Sequence, residues 1–195
     1  MMTTDRHTIL IVDDEENIRT ALVRALMDEP YEIMTAPSAE EALQILTEHP
    51  CTVVISDERM PGMDGSAFLA IVRKSHPETI RIILTGHASI ESTMRAVNSG
   101  EIYRFFTKPW DDLLLKLAIR SAIEKYDLEE ENRRLLRTVR RQSRVMKSLE
   151  QHYPGITDLR RTRDGAYILP DISDDEVRAI IALCNRETEG GDDDR

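Results

Sequence analysis

From residue 8 to residue 106, short aliphatic and β-branched runs alternate with longer stretches whose apolar residues return every three or four positions. Runs of the first kind predict five strands, at 8–12, 31–36, 52–56, 80–84 and 102–106. The stretches between them predict helices at 15–28, 38–48, 65–74 and 89–98, with a further helix from 111 onward. Most of the strand runs are apolar throughout instead of alternating, as expected of parallel strands covered on both faces. The fold class predicted is therefore α/β, a doubly wound five-stranded parallel sheet. Ser38 followed by Glu41 has the spacing of a capping box, and Asp111 stands where it can cap the last helix.

No Gly or Pro occurs between Pro109 and Pro154, so the last helix has no sequence reason to stop near 124. It can run for some 40 residues, about 60 Å at the standard rise. With Lys125 as heptad position a, the a series is Lys125, Asn132, Val139 and Met146, and the d series is Leu128, Leu135, Gln142 and Leu149. This is a short, imperfect coiled-coil seam, and Asn132 at an a position can fix two strands and their register. A homodimer through residues 118–150 is the expectation. Beyond a break at Tyr153-Pro154-Gly155, two β-prone stretches, 156–160 and 166–169, flank Asp164-Gly165 and predict a hairpin. Ser173 and Glu176 then open a short helix with Val177, Ile180, Ile181 and Cys184 on one face. The expected organisation is a sheet domain at 7–124, a helical extension at 125–152, a hairpin and short helix at 153–187, and a disordered acidic tail at 188–195.

Composition adds limits to this picture. The 195 residues are 41% hydrophobic and 32% charged, which excludes fibrous and disordered classes. No apolar run reaches the roughly 18 residues of a membrane span, and the first seven residues lack the pattern of a secretory signal, so a cytoplasmic protein is expected. Cys51 and Cys184 have neither metal-ligand nor disulfide-framework spacing and read as buried apolar residues. The net charge of −10 argues against a general polyanion binder, but it is unevenly spread. Residues 1–124 carry 12 basic against 20 acidic side chains, and residues 125–195 carry 14 against 16.

The candidate chemistry lies at strand ends. Asp13 and Asp14 follow the first strand and Asp57 follows the third, and in an open α/β sheet the loops at the carboxyl ends of neighbouring strands form the ligand crevice. Converging carboxylates repel unless a cation sits among them, and an oxygen-only set suits Mg2+. The fourth and fifth strands end in Thr85-Gly86 and Thr107-Lys108-Pro109, adding a hydroxyl and an ammonium to the same rim. A carboxylate nucleophile, cations and donors for equatorial oxygens are what phosphoryl transfer onto a carboxylate requires. Asp57, alone on its strand, is the best nucleophile.

Four motifs stand in order: Ile9-Leu10-Ile11-Val12-Asp13-Asp14-Glu15, Ser56-Asp57-Glu58-Arg59-Met60-Pro61-Gly62-Met63-Asp64-Gly65, Leu84-Thr85-Gly86-His87-Ala88 and Phe106-Thr107-Lys108-Pro109-Trp110. Over residues 7–124 the chain resembles the flavodoxin-like receiver domain of a two-component response regulator. The resemblance implies that Asp57 accepts a phosphoryl group from a histidine kinase or phosphotransfer protein. It implies Mg2+ held by Asp14, Asp57 and the backbone carbonyl of Arg59, with Asp13 acting mainly through water. It further implies that Thr85 bonds the phosphoryl oxygens, that Lys108 pairs with them, and that the Lys108-Pro109 peptide is cis. Thr85 and Phe105 would form the switch, remodelling the face made by the 89–98 helix and the last strand. Phe105 replaces the tyrosine of many relatives, and a phenyl ring donates no hydrogen bond. The run from Asn98 to Trp110 is similar to receivers fused to HD-GYP phosphodiesterases or to hydrogenase-type activators. Residues after 124 carry no HD and GYP motifs, no Gly-Lys-Ser/Thr loop and no helix-turn-helix pattern.

Seven basic residues and no acid lie between Arg133 and Lys147. They are interleaved with Leu135, Val139 and Met146, so nucleic acid is not the expected partner, although a DNA-binding regulator using this helix is a competing reading. The leading expectation is a regulatory protein, not a turnover enzyme, that dimerises and presents its C-terminal part to a protein target of unknown identity. A phosphatase or phosphotransferase working through an aspartyl-phosphate would share the same chemistry, and a phosphate sink with no output would share the same fold. No membrane partner is expected.

Overall fold

The computed structural model describes residues 7–86 and 102–152, together with 160–161, 167–168, 173, 175, 177–178 and 181–182. The predicted helix 89–98, Ile180, Cys184, the Asp164-Gly165 turn and the acidic tail lie outside the described residues. The chain divides into two compact units, Met1–Glu130 and Glu131–Arg195.

In the first unit, β1 (Thr8–Val12), β2 (Glu32–Ala36), β3 (Val53–Asp57), β4 (Ile80–Thr85) and β5 (Arg104–Thr107) form one parallel sheet in the order β2-β1-β3-β4-β5. Helices α1 (Glu16–Leu26), α2 (Ala39–Glu48) and α3 (Gly65–Ser75) connect the strands, and α4 (Asp112–His152) begins in this unit and ends in the second. The side chains of each apolar strand still alternate between faces. Ile9, Ile11, Val53, Ile55, Ile82 and Leu84 pack with Leu22 and Leu26 of α1 and with Leu115, Ile119, Ala122 and Ile123 of α4. On the opposite face Leu10, Val12, Val54 and Ile83 pack with Ala42, Leu46, Phe68, Leu69 and Val72 of α2 and α3. Cys51 belongs to that second cluster, buried as expected. Burial pushes its thiol up to about 11.

The caps follow the sequence. The Glu41 N–H donates to Ser38 Oγ at 3.2 Å and the Leu114 N–H to Asp111 Oδ1 at 2.9 Å. Asp64, not anticipated as a cap, accepts from the Ala67 N–H at 2.7 Å. The helix expected at 15–28 is shorter, ending at Leu26, and three strands end later than predicted, at Asp57, Thr85 and Thr107. β3 includes Asp57 and β4 includes Thr85, because the backbone ladder continues through polar residues that a hydrophobic run excludes. The last strand starts at Arg104 instead of 102 for a related reason. Ile102 is buried as an apolar residue should be, but it lies outside the ladder.

In the second unit, β6 (Arg160–Arg161) pairs antiparallel with β7 (Tyr167–Ile168), the pairing expected of the predicted hairpin. The Val177 N–H donates to the Ser173 carbonyl at 3.0 Å at the start of the following helical residues. No helix among the described residues is long and apolar enough to cross a membrane.

Candidate functional site

Parallel β1, β3, β4 and β5 all end at one edge of the sheet, so their C-terminal residues become neighbours although up to 95 positions separate them. The register makes this concrete: Val12 pairs with Ser56, Asp57 with Leu84, and Thr85 with Thr107. One carboxylate oxygen from each of Asp13, Asp14 and Asp57 can be chosen so that all lie within 4.8 Å of one another. Asp13 and Asp57 are buried and Asp14 is exposed, giving the cluster a dry floor and one solvent-facing oxygen donor.

Lys108 reaches into this cluster from the end of β5. Its Nζ lies 2.7 Å from Asp13 Oδ2 and 2.7 Å from Asp57 Oδ1, so one ammonium bridges two buried carboxylates. Burial works against the charged lysine, but the hydrogen bonds and charges of Asp13 and Asp57 outweigh it and hold Lys108 above its ordinary value. Burial moves Asp13 in the direction that disfavours its anion. The Lys108 bond, the Glu15 N–H at 2.9 Å and the lysine charge oppose that shift without cancelling it. A further cation near the carboxylates would relieve this desolvation, which is the electrostatic case for a metal here. The donor set is oxygen only and fits a hard divalent ion.

The remaining expected residues fall around this centre. The Lys108-Pro109 peptide is cis, as the resemblance implied. The backbone N–H of Arg59 donates to Asp57 Oδ2 at 3.2 Å, placing Arg59 beside the Asp57 carboxylate. Thr85 is fully buried, and its hydroxyl has two acceptors in reach, Glu58 Oε2 and the Gly86 carbonyl at 2.9 Å. Phe105 is half-buried against the cluster containing Ile83 and Ile102, two residues before Thr107 on β5.

Four supporting residues were not singled out from the sequence. Arg19 on α1 donates from Nη1 to the Asp13 carbonyl at 2.5 Å, tying the first loop to the helix. Ser56 Oγ donates to the Asp57 carbonyl at 2.8 Å. Gly65 opens α3 against the backbone of Asp57, where a Cβ would stand 1.9 Å from the Asp57 carbonyl oxygen, so no side chain fits. Glu58 is buried beside Asp57, with its N–H on the Leu84 carbonyl and its carbonyl accepting from the Gly65 N–H, both at 2.9 Å. Gly65 was legible, since a glycine at the first position of a predicted helix needs a packing reason. The partners of Arg19, Ser56 and Glu58 were not, because they depend on which strands and helices adjoin.

Comparison with known proteins agrees with this geometry. Residues 9–120 match the response regulator receiver domain family. The chain is 38% identical over 134 residues to the hydrogenase transcriptional regulatory protein HoxA of Cupriavidus necator, a match covering 69% of this chain and 28% of that one. It is 33% identical over 175 residues to the C4-dicarboxylate transport transcriptional regulatory protein DctD of Rhizobium meliloti, covering 90% of this chain and 36% of that one. The chain thus spans little more than a third, at most, of these two relatives. Among solved structures, the signal receiver domain of an HD domain-containing protein from Pseudomonas fluorescens Pf-5 is 41% identical with a TM-score of 0.63, covering 67% of this chain and 96% of that one.

Proposed function

The chain belongs to the response regulator receiver family, the signalling module of two-component systems, and from that premise we propose that Asp57 is its phosphoryl acceptor. The observation that carries the reading is Lys108 Nζ at 2.7 Å from both Asp13 and Asp57, within a cluster of three carboxylates at the strand ends. An oxygen of Asp57 attacks the phosphorus of a phosphohistidine on a histidine kinase or phosphotransfer protein. The P–N bond breaks, the imidazole leaves, and an acyl phosphate remains on Asp57. Lys108 pairs with the phosphoryl oxygens, and Thr85 donates its hydroxyl to one of them. Asp14, Asp57 and the Arg59 carbonyl, with Asp13 through water, would hold Mg2+, whose charge offsets that of the phosphoryl oxygens. Thr85 and Phe105 then act as the switch, remodelling the face made by the expected 89–98 helix and the last strand.

The receiver extends over 7–124 and its output begins in the helical extension 125–152. The dimer expected through 118–150 is narrower in this reading. Ala118, Ile119, Ala122 and Ile123 are buried against the sheet and Leu149 is buried too, whereas Leu128, Leu135, Val139 and Met146 are 51–71% exposed. A second copy of the chain is the occupant suggested for this free seam, because its heptad spacing is self-complementary. The protein is a switch and not a turnover enzyme, and its 153–187 segment serves a downstream protein target.

Incubation with a small phosphoryl donor, acetyl phosphate, tests the acceptor. The expected result is one Mg2+-dependent phosphoryl group per chain, lost in Asp57→Ala. Label retained in Asp57→Ala, or steady turnover of the donor at many equivalents per chain, would overturn it. Light scattering with and without beryllofluoride reports whether assembly follows phosphorylation.

A further inference from the structure

Thr85 has one hydroxyl proton, and two groups compete for it before any phosphoryl group arrives. One is the Gly86 carbonyl at 2.9 Å, a weak neutral acceptor beside it in the chain. The other is the carboxylate of Glu58, which accepts through Oε2. A hydroxyl donates one hydrogen bond at a time, and charged acceptors hold it more strongly than neutral ones. Glu58 is in a position to keep that contact. It is 9% exposed, and its backbone is pinned on both sides, to Leu84 of β4 and to Gly65 of α3. It is also the immediate neighbour of Asp57, so its acceptor oxygen and a phosphoryl group on Asp57 approach Thr85 from adjacent positions of one strand end.

We propose that Glu58 is a positioning residue that acts as a latch, holding the Thr85 hydroxyl away from Asp57 until a phosphoryl group outcompetes it. This rests on the reading of Asp57 as the acceptor and adds a regulator to that same site. The Glu58 contact stabilises the phosphate-free arrangement, so every phosphorylation event breaks it. The latch therefore lowers the affinity for a phosphoryl group and shortens the lifetime of the switched state. By linkage, a bond present only in the free state reduces apparent ligand affinity by the same factor that it stabilises that state.

A double-mutant cycle separates the latch from simple charge repulsion between Glu58 and the phosphoryl anion. Trp110 is the only tryptophan and lies two residues after Lys108, so its fluorescence reports binding of beryllofluoride in saturating Mg2+. Glu58→Gln and Glu58→Leu are measured with Thr85 intact and in the Thr85→Val background, with the rate at which protein phosphorylated by acetyl phosphate loses its phosphoryl group as a second readout. A latch predicts an apparent dissociation constant about 10-fold lower for both variants when Thr85 is present. It predicts a change below about 2-fold in Thr85→Val, with Thr85→Ser restoring the coupling. A Glu58 effect of equal size in both backgrounds would mean charge repulsion alone and overturn the proposal. So would an unchanged or weaker affinity in the Thr85 background. Glu58→Asp keeps the charge on a shorter side chain and should behave as Glu58→Gln does, and a wild-type affinity for it also counts against the latch. Loss of beryllofluoride binding in Asp57→Ala controls for the acceptor. If wild type and Asp57→Ala bind it alike, the acceptor reading fails first, and the latch with it.

Discussion

The two halves of α4 are made of the same material and meet different fates. From Leu115 to Ile123, the residues Leu115, Ala118, Ile119, Ala122 and Ile123 recur at helical spacing and are buried against the sheet. From Leu128 to Met146 another apolar series recurs with comparable regularity, yet Leu128, Leu135, Val139 and Met146 are 51–71% exposed. The charges differ in the same way. The seven basic residues from Arg133 to Lys147 all fall at heptad positions b, c and f, whereas Leu136, Thr138, Ser143 and Val145 occupy the flanking e and g positions. The sequence interleaving of basic and apolar residues therefore becomes, on the helix, a separation into two faces. An amphipathic stripe states that a face is to be covered, but not what covers it.

Truncation at each half breaks or sustains that contrast. Ile119→Ala should cost the receiver about 2–5 kcal/mol in urea unfolding, the range for an aliphatic side chain removed from a packed core. Leu135→Ala should change the unfolding of dilute protein by no more than about 0.5 kcal/mol, as for a surface position. A cost at Leu135 as large as at Ile119, measured at concentrations where the chain is monomeric, would mean that the seam is covered within one chain.

Association is the next test. Val139→Asp places a charge at an a position and should weaken self-association at least 10-fold by sedimentation while leaving Asp57 phosphorylation intact. Asn132→Leu should act in the opposite direction, tightening assembly and broadening it beyond two strands, because an Asn at an a position is what would specify two strands in the proposed dimer. The smallest effect expected is that of salt. In the proposed dimer like charges would line the outer faces of both helices, so raising ionic strength from about 0.05 to about 0.5 M should tighten self-association a few-fold by screening repulsion. Weakening with salt would point instead to attraction across the seam.

Much of the receiver could be read from the chain. Continuous aliphatic runs separated by helical periods have few solutions other than a covered parallel sheet, and the strand-end positions of Asp13, Asp57, Thr85 and Lys108 then follow from topology. What escaped was local and polar. Asp57 and Thr85 lie within their strands and not after them, since ladder hydrogen bonds depend on backbone and are indifferent to side-chain polarity. The Thr85 to Glu58 contact escaped because it joins residues 27 positions apart, and any of several carboxylates on that rim could have received the hydroxyl.

Periodicity, motif order and charge thus determined by themselves the parallel sheet, the residues at its functional edge and the length of the last helix. Those are properties of local pattern, repeated along the chain and independent of exact distances. Tertiary structure alone decided that Lys108 bridges Asp13 and Asp57, that Gly65 must lack a side chain, and that the Thr85 hydroxyl comes within reach of Glu58. Hydrogen bonds and steric contacts act over a few ångströms, so their partners emerge only when strands and helices distant in sequence are brought side by side.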